Sequence, residues 1–307
     1  MATTARIFID GEAGTTGLGI AGRLAHEHGI TVVSIDSAKR KEPAARQALM
    51  RDVDLVILCL PDDAAVESAA LAAELGANAP RIIDASTAHR VAPDWAYGFP
   101  EVTSGHADIV AKAQNVSNPG CYPTGAIALI RPLVDAGIMP ADYPVTVNAV
   151  SGYSGGGKSM IETYEAGSAP AFELYGLGMT HKHLPELQLY SGLTTRPIFV
   201  PSVGNFKQGM LVSVPLHLET LNGKPKLADL EAALKNHFAG SIFVSVQPAP
   251  ASGKIDALEL NDTNAMELRV FGNEDLRQAV LVARLDNLGK GASGAAVQNM
   301  KLMLGMR

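Results

Sequence analysis

Cys121 is the residue of this chain best suited to chemistry. It follows the turn-forming residues Asn118, Pro119 and Gly120 and precedes a long apolar run. A turn that leads into a helix places the Cys121 sulfur at the helix N-terminus, where unpaired amides favour the thiolate over the thiol. The residues therefore predict a cysteine nucleophile. A cysteine packed beneath a tight turn is the alternative for this residue considered alone.

A glycine-rich turn near the N-terminus predicts a dinucleotide site. Residues 6–10 read as a strand, residues 20–28 as an alanine-rich helix and residues 30–35 as a second strand. Glycines between a strand and a helix let the backbone approach a pyrophosphate, which then lies at the helix N-terminus. The flanking strand and helix strengthen a motif that is weak alone. The residues assigned to cofactor binding here are Gly11, Gly14, Thr15, Thr16 and Gly17.

The segment after the second strand bears on the choice of cofactor. Asp36 stands where an acid usually binds the ribose 2′-hydroxyl of NAD, whereas the adjacent Lys39, Arg40 and Lys41 suit the 2′-phosphate of NADP. A solvated charged loop fits the same residues equally well. The three basic side chains lead us to predict NADP.

The next segments predict a doubly wound parallel sheet. Apolar runs at 53–60 and 81–86 read as strands, with an alanine-rich helix at 64–75 between them. Strands that alternate with helices form a right-handed parallel sheet, and ligands bind beyond the C-terminal ends of its strands.

Two residues near the end of the 81–86 strand are therefore site candidates. Ser86 is assigned to the cofactor, and Arg90 to an anionic substrate group, although an ordinary surface ion pair also explains Arg90. Cys59 lies inside an apolar run and reads as buried and inert. Residues 93–101 show no clear period and read as an ordered loop near the cofactor.

A glycine-rich tract at 151–158 follows a predicted helix at 126–136 and a predicted strand at 145–150. It resembles a phosphate-binding loop only superficially, because its spacing does not fit the G-x-x-x-x-G-K-[ST] pattern. We predict instead a flexible loop that presents backbone amides and Ser154 to an anion. Ser154 is assigned to the substrate and Gly152 to the cofactor.

Two histidines, His181 and His183, are candidates for proton transfer with the Cys121 thiolate, because the imidazole pKa suits this role near neutrality. In an extended segment their side chains point to opposite sides, so the pair predicts separate roles. No further ligands at zinc spacing are nearby, and no metal is predicted. Glu186, assigned to the substrate site, either orients an imidazole or caps the helix that follows Pro185.

The C-terminal half predicts an α+β domain with a largely antiparallel sheet. A helix at 227–238 interrupts apolar strands at 198–203, 210–218, 242–246, 266–271 and 279–285. We place a Rossmann-type dinucleotide-binding domain at 1–117, completed by a C-terminal helix at 290–307. A catalytic and oligomerisation domain is placed at 118–289. Asn287 is assigned to the border of the nicotinamide, although a tightly docking helix alone explains the small residues after it.

Composition limits the class of protein. At 307 residues with 47% hydrophobic and 18% charged residues, the chain is a compact globular protein of one large or two medium domains. The net charge of −6 argues against nucleic acid as the main partner. No apolar run reaches the length of a membrane span, and residues 1–6 lack a signal-peptide core. Two cysteines in such different settings suggest no disulfide, which favours a cytoplasmic protein.

Taken together, the motifs resemble the shorter form of the N-acetyl-γ-glutamyl-phosphate reductase family. The most specific are the P-G-C-Y-P-T and H-x-H-x-P-E motifs. The resemblance spans almost the whole chain, in the family's order, through the glycine turn at 11–17, N-P-G-C-Y-P-T at 118–124, S-G-Y-S-G-G-G-K at 151–158, H-K-H-L-P-E at 181–186 and D-N-L-G-K-G-A at 286–292.

The resemblance implies an NADP-dependent oxidoreductase of arginine biosynthesis. It reduces the acyl phosphate of N-acetylglutamate through a cysteine thioester and acts as a homo-oligomer, a dimer or a tetramer. Cys121 would be the nucleophile, one of His181 and His183 the acid/base, and Arg90 a substrate-binding arginine. Asn118 is assigned to the substrate site as well.

Other functions stay open at this point. Aspartate-semialdehyde dehydrogenase, or a reductase of a carrier-bound aminoacyl phosphate, uses the same fold and thiol chemistry. The histidine motif argues against the first, and only the substrate pocket would decide the second. A non-catalytic dinucleotide-binding regulator predicts a damaged nucleophile or histidine, and both are intact.

Overall fold

In a computed structural model of the chain, the described residues are 4–25 and 27–306. Some predictions include residues outside this part. They are the lack of a signal-peptide core in residues 1–6, the helix at 20–28 and the outer limits of the two domains. The described chain divides into two compact units. The first unit comprises the described residues of Met1–Pro100, Gly105–Pro119 and Ala292–Arg307, and the second comprises Glu101–Ser104 and Gly120–Gly291.

The regular elements follow in chain order. The strands are β1 (Ala5–Asp10), β2 (Ile30–Val33), β3 (Leu55–Leu58), β4 (Arg81–Asp84), β5 (Ala96–Tyr97), β6 (Asn115–Ser117), β7 (Thr146–Gly152), β8 (Phe172–Leu174), β9 (Ile198–Gly204), β10 (Met210–His217), β11 (Val244–Val246), β12 (Met266–Asn273) and β13 (Gln278–Leu285). The α-helices are α1 (Thr15–Leu24), α2 (Pro43–Arg51), α3 (Asp62–Ala73), α4 (His106–Lys112), α5 (Cys121–Asp135), α6 (Gly157–Glu165), α7 (Leu184–Ser191), α8 (Leu227–His237) and α9 (Gly294–Met303).

The first unit is the predicted doubly wound parallel sheet. Its strands follow the order β2-β1-β3-β4-β6-β5, and every pairing among them is parallel. Alternate residues of β3 face opposite ways, so that Leu55 and Ile57 pack with α1, α4 and α9, whereas Val56 and Leu58 pack with α2 and α3. The chain reverses its direction of travel between β1 and β3, and a ligand crevice is expected at such a switch point.

Several element boundaries predicted in the first unit differ from those in the structure. The helix predicted at 20–28 is α1, which begins at Thr15 because the glycine turn ends at Gly14, and it ends before the turn at Gly29. The segment 93–101 is not all loop, because β5 pairs with β6 and buries Tyr97. The helices α2 and α4 were not predicted.

The second unit contains a mixed sheet in the order β11-β12-β13-β10-β7-β9-β8. Its pairings are antiparallel except β11 with β12 and β7 with β9, so the prediction of a largely antiparallel sheet is confirmed. The helices α5 and α8 pack against β10, β12 and β13. The covered face buries Ala149, Val212, Leu268 and Ala283, which lie side by side in the ladder.

The opposite face of this sheet is partly open among the described residues. Several side chains that point to it are apolar yet half-buried or exposed, whereas Val282 and the ion-paired Arg284 on the same face are buried. Val280 in β13 is 37% exposed, and Phe172, Leu174 and Ile198 at the β8 edge are 50–56% exposed. The half-buried members are Val150, Val200, Leu211 and Phe271. An apolar sheet face of this kind is typical of an interaction surface.

Two glycine-rich segments are more ordered than predicted. The tract at 151–158 is not a flexible loop, because β7 continues to Gly152 and is followed by a 3₁₀ turn at Tyr153–Gly156 and by α6. The helix predicted at 290–307 is α9 alone, preceded by a π-helical turn at Gly289–Ser293. Membrane crossing would require a longer apolar helix than any found among the described residues.

Candidate active site

A cavity of about 760 Å³ opens at the C-terminal ends of β1 and β3 in the first unit. Gly11 and Gly14 line it, and α1 begins directly after them, with Thr15, Thr16 and Gly17 in its first turn. Gly11 has a φ of +94°, and a Cβ at this position would lie 2.3 Å from the Cys59 carbonyl oxygen. A helix N-terminus with bare backbone beside it suits the negative charge of a pyrophosphate.

Gly17 is also sterically required. A Cβ at this residue would lie 2.5 Å from the Gly11 carbonyl oxygen, so the first turn of α1 packs directly on the glycine turn. The sequence motif therefore marks two positions where only glycine fits. The cavity, the glycines and the switch point coincide.

The basic segment after β2 contributes unequally to the cavity. Ser37, Arg40 and Lys41 are among its lining residues, whereas Lys39 and Asp36 are not. The Asp36 carboxylate instead accepts the Ala38 amide at 2.9 Å, which makes a local Asx turn. Two cationic side chains of this segment, Arg40 and Lys41, therefore reach the cavity.

Cys59 lies at this cavity, which the sequence did not predict. Its side chain is half-buried, and burial, with the carboxylates of Asp84 and Asp10 adding to it, raises the pKa of the thiol to about 12. The thiol therefore stays protonated, and the prediction that Cys59 is unreactive agrees with this environment.

A buried ion pair closes one wall of the same cavity. Arg46 donates from Nε and Nη2 to one oxygen of Asp10, at 3.0 and 2.7 Å, and the Ser68 hydroxyl donates to the same oxygen at 2.6 Å. Both charged side chains are nearly inaccessible to solvent. Periodicity alone did not identify this group, because it joins β1, α2 and α3 at long sequence separation.

Asp84 organises the C-terminal end of β4. Its carboxylate accepts the amide and the hydroxyl of Ser86, at 2.8 and 2.7 Å, and Nδ1 of His89 at 2.6 Å. His89 stacks on Trp95 with ring centroids 4.0 Å apart. The hydroxyl of Ser86, which was predicted at the cofactor, thus binds Asp84. Neither Asp84 nor His89 was predicted as a site residue.

Arg90 is buried, so the alternative of an ordinary surface ion pair is wrong. Its Nε donates to the Asn118 carbonyl oxygen at 3.0 Å, and its Nη2 lies 3.4 Å from the Ala85 carbonyl oxygen. Asn118 is itself held on both sides: it donates to the Ala292 carbonyl oxygen at 3.0 Å and accepts from Asn299 at 3.1 Å. These bonds fix the chain three residues before Cys121.

In the second unit, Cys121 is the first residue of α5, as predicted. The Gly120 amide, one residue earlier, donates to Glu186 Oε2 at 3.0 Å. Glu186 is buried in the first turn of α7 and therefore anchors the turn before the cysteine. Cys121 is half-buried and not in a disulfide, and its Cβ contacts the backbone of Gly291.

The two histidines lie together, so the prediction that they point to opposite sides is wrong. Their ring centroids are 4.7 Å apart, because the segment turns into α7 with His183 as its N-cap and is not extended. The His183 amide lies 3.2 Å from Nδ1 of His181 and donates to it, which leaves the proton of a neutral His181 on Nε2. Tyr122, next to Cys121, contacts both rings, at 6.3 and 6.0 Å between centroids.

A pair of tyrosines completes this cluster and was not predicted. The Tyr175 hydroxyl donates to the Tyr122 hydroxyl at 3.2 Å, and Tyr122 donates to the Ser202 carbonyl oxygen at 2.8 Å. Burial raises the pKa of Tyr175 to about 12, and the nearby Cys121 charge contributes to this rise. Both phenols therefore stay neutral around the thiol at physiological pH.

Ser154, Gly152 and Asn287 form a separate structural group in the second unit. Asn287 donates to the Ser154 hydroxyl at 2.9 Å and accepts the Gly209 amide at 2.8 Å, and both side chains are buried. A Cβ at Gly152 would lie 2.5 Å from the Lys207 carbonyl oxygen. All three residues thus contact the turn between β9 and β10, since the amides of Gly152 and Ser154 donate to the carbonyl oxygens of Gly209 and Lys207.

Metal ligands are not clustered in the described residues: no three His, Cys, Asp or Glu side chains are grouped so that they would hold an ion. A thiol, two imidazoles and two phenols lie in this part of the second unit. Groups of these types can serve as a nucleophile and as proton donors.

Family models match both parts of the chain. One, described as the NAD binding domain of semialdehyde dehydrogenase, matches residues 21–109, and another, described as its dimerisation domain, matches residues 121–287. Fold and site together define the class, a semialdehyde dehydrogenase with a dinucleotide-binding sheet and a thiol-bearing second unit.

Solved structures show the same fold. Aspartate semialdehyde dehydrogenase II from Vibrio cholerae, complexed with ASA, matches with a TM-score of 0.73 at 15% identity over 99% of both chains. The aspartate semialdehyde dehydrogenase from Candida albicans with NADP matches with a TM-score of 0.70 at 14% identity, over 98% of this chain and 99% of that one.

Sequence relatives are much closer. Proteins named N-acetyl-gamma-glutamyl-phosphate reductase from Brucella suis and Brucella ovis are each 57% identical to this chain, over 98% of it and 99% of the relative. The chain therefore belongs to the N-acetyl-gamma-glutamyl-phosphate reductase family, and the resemblance inferred from its motifs is confirmed.

Proposed function

We propose that this protein reduces N-acetyl-L-glutamyl 5-phosphate to N-acetyl-L-glutamate 5-semialdehyde and phosphate with NADPH, as a step of arginine biosynthesis. The observation that carries the proposal is Cys121 at the first position of α5, with its turn anchored by Glu186 and two imidazoles in contact with the adjacent Tyr122. The relatives that share this chain over nearly its full length carry the name of this activity.

Cys121 performs the first chemical step. Its thiolate attacks the acyl carbon, the carbon–sulfur bond forms, and the carbon–oxygen bond to phosphate breaks with the electron pair leaving on phosphate. Backbone amides at the start of α5 are proposed to stabilise the oxyanion of the tetrahedral intermediate. The product of this half-reaction is a thioester on Cys121.

The second half-reaction needs a hydride and a route back to the thiol. Bound NADPH supplies the hydride that reduces the thioester carbon. The oxyanion then collapses to the aldehyde and the Cys121 thiolate leaves, so the thiol is regenerated. His181 or His183 serves as the proton carrier, because both imidazoles lie in the cluster around Tyr122.

The remaining site residues are assigned roles according to their burial and to the protein groups that their polar atoms bind. Arg90 is proposed to meet the anionic end of the substrate, since it is a buried cation whose Nε donates to the Asn118 carbonyl oxygen, three residues before Cys121 in the chain. Asn118, Ser154, Glu186 and Asn287 are proposed to hold the backbone around the ligands, because protein groups engage their polar atoms.

NADP is proposed as the cofactor in preference to NAD. Arg40 and Lys41 line the cavity beside Ser37, and a 2′-phosphate would find two cations there. The Asp36 carboxylate, which would favour the 2′-hydroxyl of NAD, is engaged with Ala38 instead. The glycine turn at Gly11 fits the pyrophosphate of either cofactor.

The two compact units are proposed to be the dinucleotide-binding and the catalytic domain. The open apolar face of the second unit's sheet, defined above, is proposed as the contact between two copies, which agrees with a match to a dimerisation domain at 121–287. We further propose that the protein works in the cytoplasm, where Cys121 stays reduced.

The reverse reaction tests the activity. Wild-type protein should reduce NADP with N-acetylglutamate semialdehyde only when phosphate is present, and Cys121→Ser should lose at least about 1,000-fold in kcat. Comparable turnover of the serine variant would disprove the thioester route. Aspartate semialdehyde and a carrier-bound aminoacyl semialdehyde serve as competing substrates, and preference for either would reassign the substrate.

A further inference from the structure

Lys290 is buried where a lysine is costly. Its side chain is 1% exposed and ends between both oxygens of Glu101, at 3.0 and 2.9 Å, with the ammonium 5.2 Å from the centre of the Phe243 ring. Burial lowers the pKa of Lys290, and Glu101 opposes that shift. A buried ion pair adds little stability over an apolar pair of the same size, so its presence needs another reason.

Glu101 is fixed independently of Lys290. Nε2 of His237, at the end of α8, donates to the Glu101 carbonyl oxygen at 3.1 Å. The carboxylate of Glu101 thus projects from a backbone that α8 holds. Lys290 ties the turn at 286–291 to this fixed point.

The same turn is anchored at its other end by Asp286. The Asp286 carbonyl oxygen accepts the amides of Gly289 and Gly291 at 3.1 and 2.9 Å. Its carboxylate accepts the Leu288 amide and the Gln208 side chain, at 2.8 and 2.6 Å. Asp286 and Lys290 therefore hold the turn from two directions.

The turn bears on Cys121 itself. A Cβ at Gly291 would lie 2.8 Å from the Cys121 Cβ and 3.2 Å from its Cα, so bare backbone is the only surface that fits behind the cysteine. The cysteine is N-terminal in α5 and has only χ1 to direct its sulfur. Any shift of the turn therefore changes the direction of the nucleophile.

We propose that Lys290 is a positioning residue for Cys121: its ion pair with Glu101 holds the 286–291 turn against the cysteine and so fixes the direction of the thiol. The inference rests on the proposed thiol chemistry. Lys290 does not touch the reacting atoms in this scheme. Its effect passes through Gly291.

The test measures two properties of Lys290→Met, Gly291→Ala and the double variant Lys290→Met/Glu101→Met. One is kcat and KM in the reductase assay. The other is the iodoacetamide alkylation rate of Cys121 against pH, followed on its own peptide by mass spectrometry. A displacement of about 1 Å in a nucleophile costs about 100-fold. We expect kcat to fall by about 30–100-fold in all three variants, with KM within about threefold, and the alkylation profile to change.

The double variant and a matched control separate position from stability. Lys290→Met/Glu101→Met leaves no buried charge unpaired, so its melting temperature should return near that of the wild type while kcat stays low. Arg284→Met breaks another ion pair of a buried cation, with Glu267 in the same unit, and should destabilise the protein without changing the alkylation profile.

Recovery of wild-type kcat in the double variant would overturn the proposal, as would equal kcat losses in Lys290→Met and Arg284→Met. The alkylation measurement needs no substrate. A normal Cys121 profile in Lys290→Met therefore refutes the positioning role even if another substrate replaces the proposed one.

Discussion

Removing the Arg40 side chain should weaken NADPH binding and leave NADH binding nearly unchanged. Arg40 lines the cofactor cavity beside Ser37 and Lys41, where the 2′-phosphate is expected. A charge-assisted hydrogen bond contributes about 1.5–3 kcal/mol, and solvent screening at this exposed position reduces it to about 1–2 kcal/mol. Arg40→Ala should therefore raise the Kd for NADPH by about 5–30-fold.

Fluorescence titration of NADPH and NADH measures this difference directly. Lys39→Ala is the matched control, since Lys39 carries the same charge in the same segment but does not line the cavity. Its Kd for NADPH should change by less than about twofold. The Arg40 effect should also shrink in high salt, because exposed charges are screened.

Equal losses for NADPH and NADH in Arg40→Ala would refute the 2′-phosphate assignment and place Arg40 at the shared pyrophosphate. Equal losses in Arg40→Ala and Lys39→Ala would show a general charge effect. Asp36→Ala supplies the complementary measurement. It should leave NADH binding unchanged, because the carboxylate engages the Ala38 amide.

Three further outcomes follow from the structure. If the open sheet face forms the proposed dimer contact, Val280→Asp should give a monomer in light scattering without loss of helical circular dichroism. Leu276→Asp changes a 65% exposed leucine in the turn between β12 and β13 and should leave the oligomeric state unchanged. Arg81→Met should lower the free energy of unfolding in urea by about 2–4 kcal/mol, because the carbonyl oxygens of Ala111, Ala113 and Met303 lose their donor. An unchanged free energy of unfolding would contradict this stabilising role of Arg81. Burial lowers the pKa of His237 below its ordinary 6.5, so the unfolded chain takes up that proton first and stability falls as the pH drops below 6.5. His237→Gln should remove up to about 1.4 kcal/mol per pH unit of that slope, and an unchanged slope would contradict the reasoning.

The elements that the sequence predicted well are those whose pattern is local. The glycine turn, the strand before it and the helix after it need only neighbouring residues to be recognised, and Gly11 and Gly17 occupy positions that accept no Cβ. The start of α5 at Cys121 is likewise local, because the Asn-Pro-Gly turn cannot continue a helix and the apolar run after it can.

The wrong prediction for the two histidines has a physical cause. The histidine pair was assigned to opposite sides because a two-residue spacing implies alternation only in an extended chain. His183 has helical dihedral angles, φ −83° and ψ −10°, and this brings the rings together. Pro185 at the start of α7 was visible in the sequence and is a helix-start signal that favours this geometry.

The partners of other site residues were not predictable, because they are distant in the chain. Glu186 reaches the Gly120 amide across 66 residues, and Asn118 accepts from Asn299 across 181. Periodicity and spacing carry no information about such pairs. The carboxylate of Asp84 was missed for a different reason: it ends a buried strand and reads as part of it, although its three donors all follow within five residues.

Comparison of the two cysteines shows what tertiary structure adds to residue type. Cys59 follows β3 among apolar groups and near two carboxylates, and its raised pKa keeps it a thiol. Cys121 begins a helix whose preceding amide is fixed by Glu186, and the bare backbone of Gly291 lies against it. Both residues have the same intrinsic acidity, so the difference in reactivity that we propose must come from their surroundings. A substitution that disturbs those surroundings should therefore change the reactivity of the Cys121 thiol more than a substitution on the solvent side of α5 does.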